Sequence, residues 1–169
     1  KIAKALMELA PENLSLEIIE IGNLALYNED LEQELPIEWQ QFRTAIKAVD
    51  GVLFVTPEYN RSVPAVLKNA VDVGSRPYGK NKWDGKPGAI ISSSTGAYGA
   101  FGANHHIRQS LVFVNIYPMQ QPEAYLGNIK DCIGENGKIE LQKTKDFLLS
   151  FKKAFEQWVI RIVHTKGQD

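Results

Sequence analysis

The 169-residue chain predicts an α/β fold, a parallel sheet covered by helices on both faces. Three observations predict it. Short continuous apolar runs, Val52-Leu53-Phe54-Val55-Thr56 and Ala89-Ile90-Ile91-Ser92, have the composition of strands buried on both faces. Other segments place apolar residues three and four apart, the mark of an amphipathic helix. The two kinds alternate along the chain, the order that builds parallel sheets through helical crossovers. At roughly 100–200 residues per domain, the length fits one domain over residues 1–169.

The elements follow in order. Ile2, Leu6 and Leu9 recur at helical spacing and Pro11 stops the run, so residues 1–10 read as the tail of a helix. Leu14 to Ile21 alternates apolar and polar residues and reads as a strand. Residues 22–36 form a polar connection with an acidic run, Glu29-Asp30 to Glu34. Trp39, Phe42, Ile46 and Val49 stripe a helix that Asp50-Gly51 ends. The strand at 52–56 follows, then a loop from Pro57 to Ser62. Pro64 suits the first turn of a helix whose buried stripe is Leu67, Ala70, Val71 and Gly74. Arg76 to Pro87 holds two prolines, two glycines and four basic residues, and reads as an exposed excursion. After the strand at 89–92 comes a Ser- and Gly-rich loop, 93–102. Ile107, Leu111 and Val114 mark a helix. Ile116 to Gln121 is the last strand, put at an edge by Pro118 and Pro122. Residues 135–138 form a turn. Phe147, Phe151, Phe155, Trp158 and Ile162 stripe a long final helix.

Composition excludes several functions. Lys+Arg is 19 and Asp+Glu is 20, a net charge of −1, so no basic excess exists to neutralise the phosphates of a nucleic acid. No stretch approaches the roughly 18 consecutive apolar residues of a membrane span. Cys132 is the single cysteine, which excludes an intrachain disulfide and a cysteine-rich zinc site and fits a reducing cytoplasm.

Open α/β sheets bind ligands beyond the carboxyl ends of their strands. Two loops sit there. The first runs Thr56-Pro57-Glu58-Tyr59-Asn60-Arg61-Ser62-Val63-Pro64, between a strand and a helix start. Free backbone N–H groups, the Tyr59 ring and the Asn60 amide suit a planar, acceptor-rich ligand. The same residues also suit a plain capped turn. The second loop, Ser92 to Gly102, has glycine at 96, 99 and 102, which allows close approach to a ligand or is simple punctuation. Its spacing is neither a dinucleotide fingerprint nor a P-loop.

These residues resemble a family. Pro57-Glu58-Tyr59-Asn60, Ser62, Pro64 and Leu67-Lys68-Asn69-Ala70-Val71-Asp72 are similar to the P-E-Y-N-x-S-x-P-x-x-L-K-N-A-[IV]-D signature of the NADPH-dependent FMN reductases. That family includes quinone, azo-dye and chromate reductases. Gly85-Lys86-Pro87, then Ser93-Ser94-x-Gly96-x-x-Gly99, resembles its second flavin loop. His106-x-Arg108-Gln109-x-Leu111 and Pro122-Glu123 resemble later segments, so the likeness covers essentially the whole chain.

The resemblance implies a flavodoxin-like three-layer sandwich with a five-stranded parallel sheet of order 2-1-3-4-5. It implies bound FMN, NADPH or NADH as co-substrate, a small acceptor (quinone, azo compound, metal oxyanion or free flavin), and a homodimer or homotetramer. Carried onto this chain, Pro57, Glu58, Tyr59, Asn60 and Arg61 would meet the isoalloxazine ring, largely through the main chain. Ser94, Thr95, Gly96 and Gly99 would line its other side. Arg61 departs from the family, where an aromatic is common. A second departure is at the start. The chain begins Lys1-Ile2-Ala3-Lys4-Ala5-Leu6, without initiator Met, signal peptide, first strand or the family's G-S-x-R-x-x-S-x-N phosphate loop. The expectation is an N-terminally incomplete domain lacking on the order of 15–20 residues. An intact mass near 18.9 kDa would contradict it.

No side chain is required as a catalytic acid or base. A flavodoxin-type electron carrier without nicotinamide activity is the alternative, and a flavin-free interaction module the more distant one. Adjacent His105 and His106 point to different sides of their helix, so a metal site is not expected. Arg108 could meet substrate or a partner subunit but reads first as half of a surface ion pair, Cys132 reads as inert packing, and Asp72 as a partner of Arg76 four residues on. Ser94 lacks the G-x-S-x-G elbow of a hydrolase nucleophile. The Trp39, Phe42 and Phe147–Trp158 stripes read as core or oligomer contacts.

Overall fold

The structure, a computed structural model, describes residues 1–9, 13–134 and 136–166. Six α-helices and four strands follow one another along it. They are α1 (Ile2–Glu8), α2 (Ile37–Ala48), β1 (Val52–Thr56), α3 (Ala65–Ser75), β2 (Pro87–Ser93) and α4 (Phe101–Phe113), followed by β3 (Tyr117–Pro118), β4 (Ala124–Leu126), α5 (Ile129–Cys132) and α6 (Gln142–Lys166). A 3-10 turn, Glu29–Glu32, sits in the acidic connection. Pro11 and Glu135 lie outside the described residues.

β2 is central and all its pairings are parallel. β1 lies along one side, with Val52 opposite Gly88 and Thr56 opposite Ser92. β3 pairs with the start of β2 and β4 with its end, both along the side opposite β1. Alternation along β2 sorts the core into two layers. Ile90 points into a cluster with Trp39, Phe42 and Ile46 of α2, Val71 of α3 and Ile107 of α4. Ala89 and Ile91 point oppositely, against Leu6 of α1 and Leu148, Phe151 and Phe155 of α6. The result is three layers, helices over both faces of a parallel sheet. The continuous apolar run at 89–91 follows from this two-sided burial.

Four details differ from the sequence reading. Leu14–Ile21 forms no ladder among the described residues. Its alternation is real: Leu14 and Leu16 pack toward one layer, Ile19 and Ile21 toward the other. A cleft of about 790 Å³ separates it from β1, so it has no backbone to pair with. The last strand is not one run over 116–121. Prolines lack the ladder N–H, so pairing breaks between Pro118 and Ala124 and resumes as β4. The excursion at 76–87 is anchored rather than exposed throughout. Trp83 is buried, donates Nε1–H to the Val71 carbonyl at 2.9 Å, and packs on Gly74, where a Cβ would collide with its ring. Finally, Asp72 does not pair with Arg76. α3 ends at Ser75 and Arg76 is extended, so its guanidinium turns to Glu32 at 2.6 Å and Glu29 at 3.4 Å. Asp72 binds Lys68 at 2.8 Å instead.

Asn69 holds the polar connection to α3. Its Oδ1 accepts from Tyr27 N–H at 2.8 Å, and its Nδ2 donates to the Ala25 carbonyl at 3.0 Å. Among the described residues no helix is long and apolar enough to cross a membrane.

Candidate functional site

Thr56 and Ser92 are register partners, so the two loops leave the sheet side by side at its carboxyl edge. The first loop is a tight hairpin. Tyr59 N–H donates to the Ser62 carbonyl and Ser62 N–H to that of Tyr59, both at 2.9 Å. The two residues between, Asn60 at φ +50° and Arg61 at φ +66°, are both left-handed, as a two-residue type I′ turn requires. Tyr59 is exposed at 62%. The N–H groups of Asn60 and Arg61 meet no protein acceptor among the described residues.

Glu58 fixes this hairpin to α4. The N-cap of α4 is Ala100, left-handed and without a side chain able to cap. Glu58 Oε2 supplies the missing acceptor from another loop, taking Ala103 N–H at 3.1 Å. Ala103 is the third helical residue, the donor that a capping side chain ordinarily satisfies. The Arg61 carbonyl also approaches Gly102, where a Cβ would stand 2.9 Å from it. His106 Nδ1 lies 2.9 Å from Ser62 Oγ and braces the same hairpin.

The second loop is tied to β4 and to the chain after it. Ser94 N–H donates to Leu126, Asn128 N–H to Gly96, and Ile129 N–H to Ser94. Ser94 Oγ donates to the Gly96 carbonyl at 2.9 Å, a loop role rather than a nucleophile's. Gly99, at φ +59°, is buried, and a Cβ there would stand 2.5 Å from the Tyr125 carbonyl carbon. Gly96 faces open space. The N–H groups of Thr95 and Gly96 have no protein acceptor among the described residues. Each loop thus presents two adjacent unused donors. Between the strand ends opens a cavity of about 460 Å³, within the roughly 300–1,000 Å³ of small-molecule sites. Thr56, Pro57 and Ser93 line it, together with Lys1 and Lys130.

One feature escaped sequence reasoning. Phe101, His105 and Tyr125 form an aromatic cluster beside the second loop, with ring centroids 4.2–6.0 Å apart. His105 Nε2 and the Tyr125 hydroxyl are 2.9 Å apart. Burial, and then the Glu123 side chain, push the Tyr125 phenol up to about 12. Phe101 and His105 stand at i and i+4 on α4, but Tyr125 arrives through β4, which the sequence did not reveal. Among the described residues Arg108 forms no ion pair: it donates to Asn104 Oδ1 at 3.0 Å and to the Met119 carbonyl at 3.1 Å. Cys132 is buried. Among the described residues no group of three His, Cys, Asp or Glu is placed to hold a metal.

Parallel strands, with a cavity and two donor-bearing loops at their carboxyl ends, define an α/β protein of the kind that binds small ligands at that edge. The comparisons say which. A family model described as NADPH-dependent FMN reductase matches residues 1–131, and the chain belongs to that family. It is 58% identical over 160 residues to a quinone reductase of Pseudomonas putida, covering 94% of this chain and 86% of that protein. It is 43% identical to a 2-hydroxy-1,4-benzoquinone reductase of a Burkholderia species, covering 94% and 87%. Among solved structures it resembles FerB, a flavoenzyme NAD(P)H:(acceptor) oxidoreductase of Paracoccus denitrificans. The TM-score there is 0.89 at 38% identity, covering 95% of this chain and 88% of that one.

Proposed function

We propose that this chain is an FMN-dependent NAD(P)H oxidoreductase that reduces quinones. The observation that carries the reading is the juxtaposition of the 57–61 and 94–99 loops at the carboxyl ends of β1 and β2, in a chain whose relatives are quinone reductases. When bound, FMN relays a hydride, so that NAD(P)H, a proton and a quinone become NAD(P)⁺ and a hydroquinone.

The chain's own groups bind and orient. The unused N–H groups of Asn60, Arg61, Thr95 and Gly96 suit the carbonyl oxygens and ring nitrogens of an isoalloxazine. Tyr59 offers a flat exposed face beside them. Lys1 and Lys130 at the cavity wall suit a phosphate. Glu58 is spent on α4, so Pro57–Arg61 act on the flavin through the main chain. Azo compounds, metal oxyanions and free flavin fit the same open mouth as further acceptors.

The wider architecture is read the same way. In the sheet order 2-1-3-4-5, Leu14–Ile21 takes the outer place and β1, β2 and β3/β4 take the last three. The cleft beside β1, lined by apolar residues of both layers, supports a further strand between Leu14–Ile21 and β1. Exposed Val66, Phe101 and Val112 on neighbouring α3 and α4 support a homodimer or homotetramer. A lone cysteine suits the cytoplasm.

The test is anaerobic mixing of the FMN-loaded protein with NADPH and with NADH. Immediate bleaching of the flavin band at about 450 nm, followed by recovery on adding a quinone, is expected. Slow or absent bleaching overturns the reading in favour of an electron carrier.

A further inference from the structure

The tip of the first hairpin carries an arginine where the backbone favours glycine. In a type I′ turn the two central residues are left-handed, and the preferred pair is Asn-Gly. Asn60 obeys that preference, whereas Arg61 holds φ +66° with a full side chain. Left-handed backbone is strained for a residue with a Cβ, because the Cβ crowds the following carbonyl oxygen. Such strain persists where the surroundings fix it, and it concentrates at functional sites.

No packing contact explains the side chain. It is 82% exposed, and its one ion-pair partner among the described residues is Glu58 Oε1 at 3.6 Å. That is longer than a hydrogen bond, and Glu58 already gives its other oxygen to α4. The neighbouring titratable groups on packed elements are His106, on Ser62, and His105, on Tyr125. Apart from Glu58, then, the hairpin presents a cationic edge. The guanidinium keeps most of its planar donor fork in water, on the loop that leaves the carboxyl end of β1.

We propose that Arg61 is a specificity residue for the electron acceptor. It favours quinones that carry an anionic substituent beside the reducible ring, a carboxylate, sulfonate or ionised hydroxyl, over neutral quinones of similar size. The inference rests on the oxidoreductase reading above. An anion on the acceptor docks on the guanidinium through charge-assisted hydrogen bonds, while the ring lies in the cleft between the loops. Arg61 touches the acceptor's substituent and not the reacting atoms, so its effect falls on KM and not on kcat. Its exposure makes the effect sensitive to salt.

The test is steady-state kinetics of the FMN-loaded enzyme with two probes, neutral 2-methyl-1,4-naphthoquinone and anionic 1,4-naphthoquinone-2-sulfonate. Wild type is compared with Arg61→Gln and Arg61→Lys. In Arg61→Gln the anionic-to-neutral ratio of kcat/KM is expected to fall about tenfold through KM, with Arg61→Lys recovering part of it. Raised salt should shrink the wild-type ratio toward that of Arg61→Gln. Any common loss of flavin or stability enters both probes and cancels in the ratio. An unchanged ratio overturns the proposal. So does a change confined to the NADPH-to-NADH preference, which would assign the guanidinium to the nicotinamide's extra phosphate. If wild type reduces neither probe with either nicotinamide, the oxidoreductase reading itself fails.

Discussion

Lys152 is the residue whose surroundings run most against its chemistry. Its side chain is fully buried on α6, and its Nζ has one partner among the described residues, the Leu6 carbonyl of α1, at 2.6 Å. Burial pulls its pKa down from 10.5 to about 8. Between those values the unfolded chain binds more protons than the folded one, so stability rises with pH across pH 8 to 10.5. The full increment is about 3 kcal/mol by linkage. Urea denaturation of wild type and Lys152→Met across that range should show the rise in wild type and a flatter curve in the variant. Parallel curves would mean the amine reaches water. The placement was legible in spacing: Lys152 lies four residues from Leu148 and three from Phe155, on the buried face. Its charge argued the other way, and residue type alone would have put it in solvent. Asp72 shows the converse limit. Its sequence offers cations four residues before and after, and only the end of α3 at Ser75 decides for Lys68.

At the scale of elements, helices were legible where their buried stripe is internal. Trp39, Phe42 and Ile46 set α2, and Leu67, Ala70 and Val71 set α3. Ends were less so, because an end is settled by whatever satisfies its free backbone groups. The start of α4 is the clearest case, since its acceptor, Glu58, lies 45 residues upstream. That bond couples the first loop of the candidate site to the helix beside it. Glu58→Ala should therefore lower stability by about 1–2 kcal/mol, a typical loss for a cap. Glu58→Gln, which keeps an oxygen acceptor, should lose less. The same variants should weaken FMN uptake measured by fluorescence quenching, because the hairpin loses its tether to α4. A Glu58→Ala protein with wild-type stability would show that Ala103 N–H finds water instead. β4 is the converse case. Three residues, two of them buried, pair with β2 and carry Tyr125 to the site, yet Pro118 and Pro122 hid them.

Across the whole molecule, the order of elements and the two-layer core followed from alternation and from β2, buried on both faces. The loops at its carboxyl end were legible for the same reason, since a parallel sheet offers its ligand site there. What alternation left open is pairing. Leu14–Ile21 has the pattern of a strand, and the cleft of about 790 Å³ beside it leaves that pattern without a ladder. The consequence falls on β1. β2 is paired along both sides, whereas β1 is paired only to β2 among the described residues, and Val52, Leu53 and Val55 are only partly buried. Alternate amides of a parallel strand point to opposite sides, so half of those in β1 face the cleft. Unpaired amides exchange through local openings, while doubly paired ones wait for larger unfolding. Hydrogen exchange of the 169-residue chain, resolved to single amides, should thus find slow exchange at the β2 amides that face β1 and an alternating pattern in β1. The fast members of β1 are the cleft-facing ones. Uniform protection along β1 would overturn this and would place a paired backbone in the cleft.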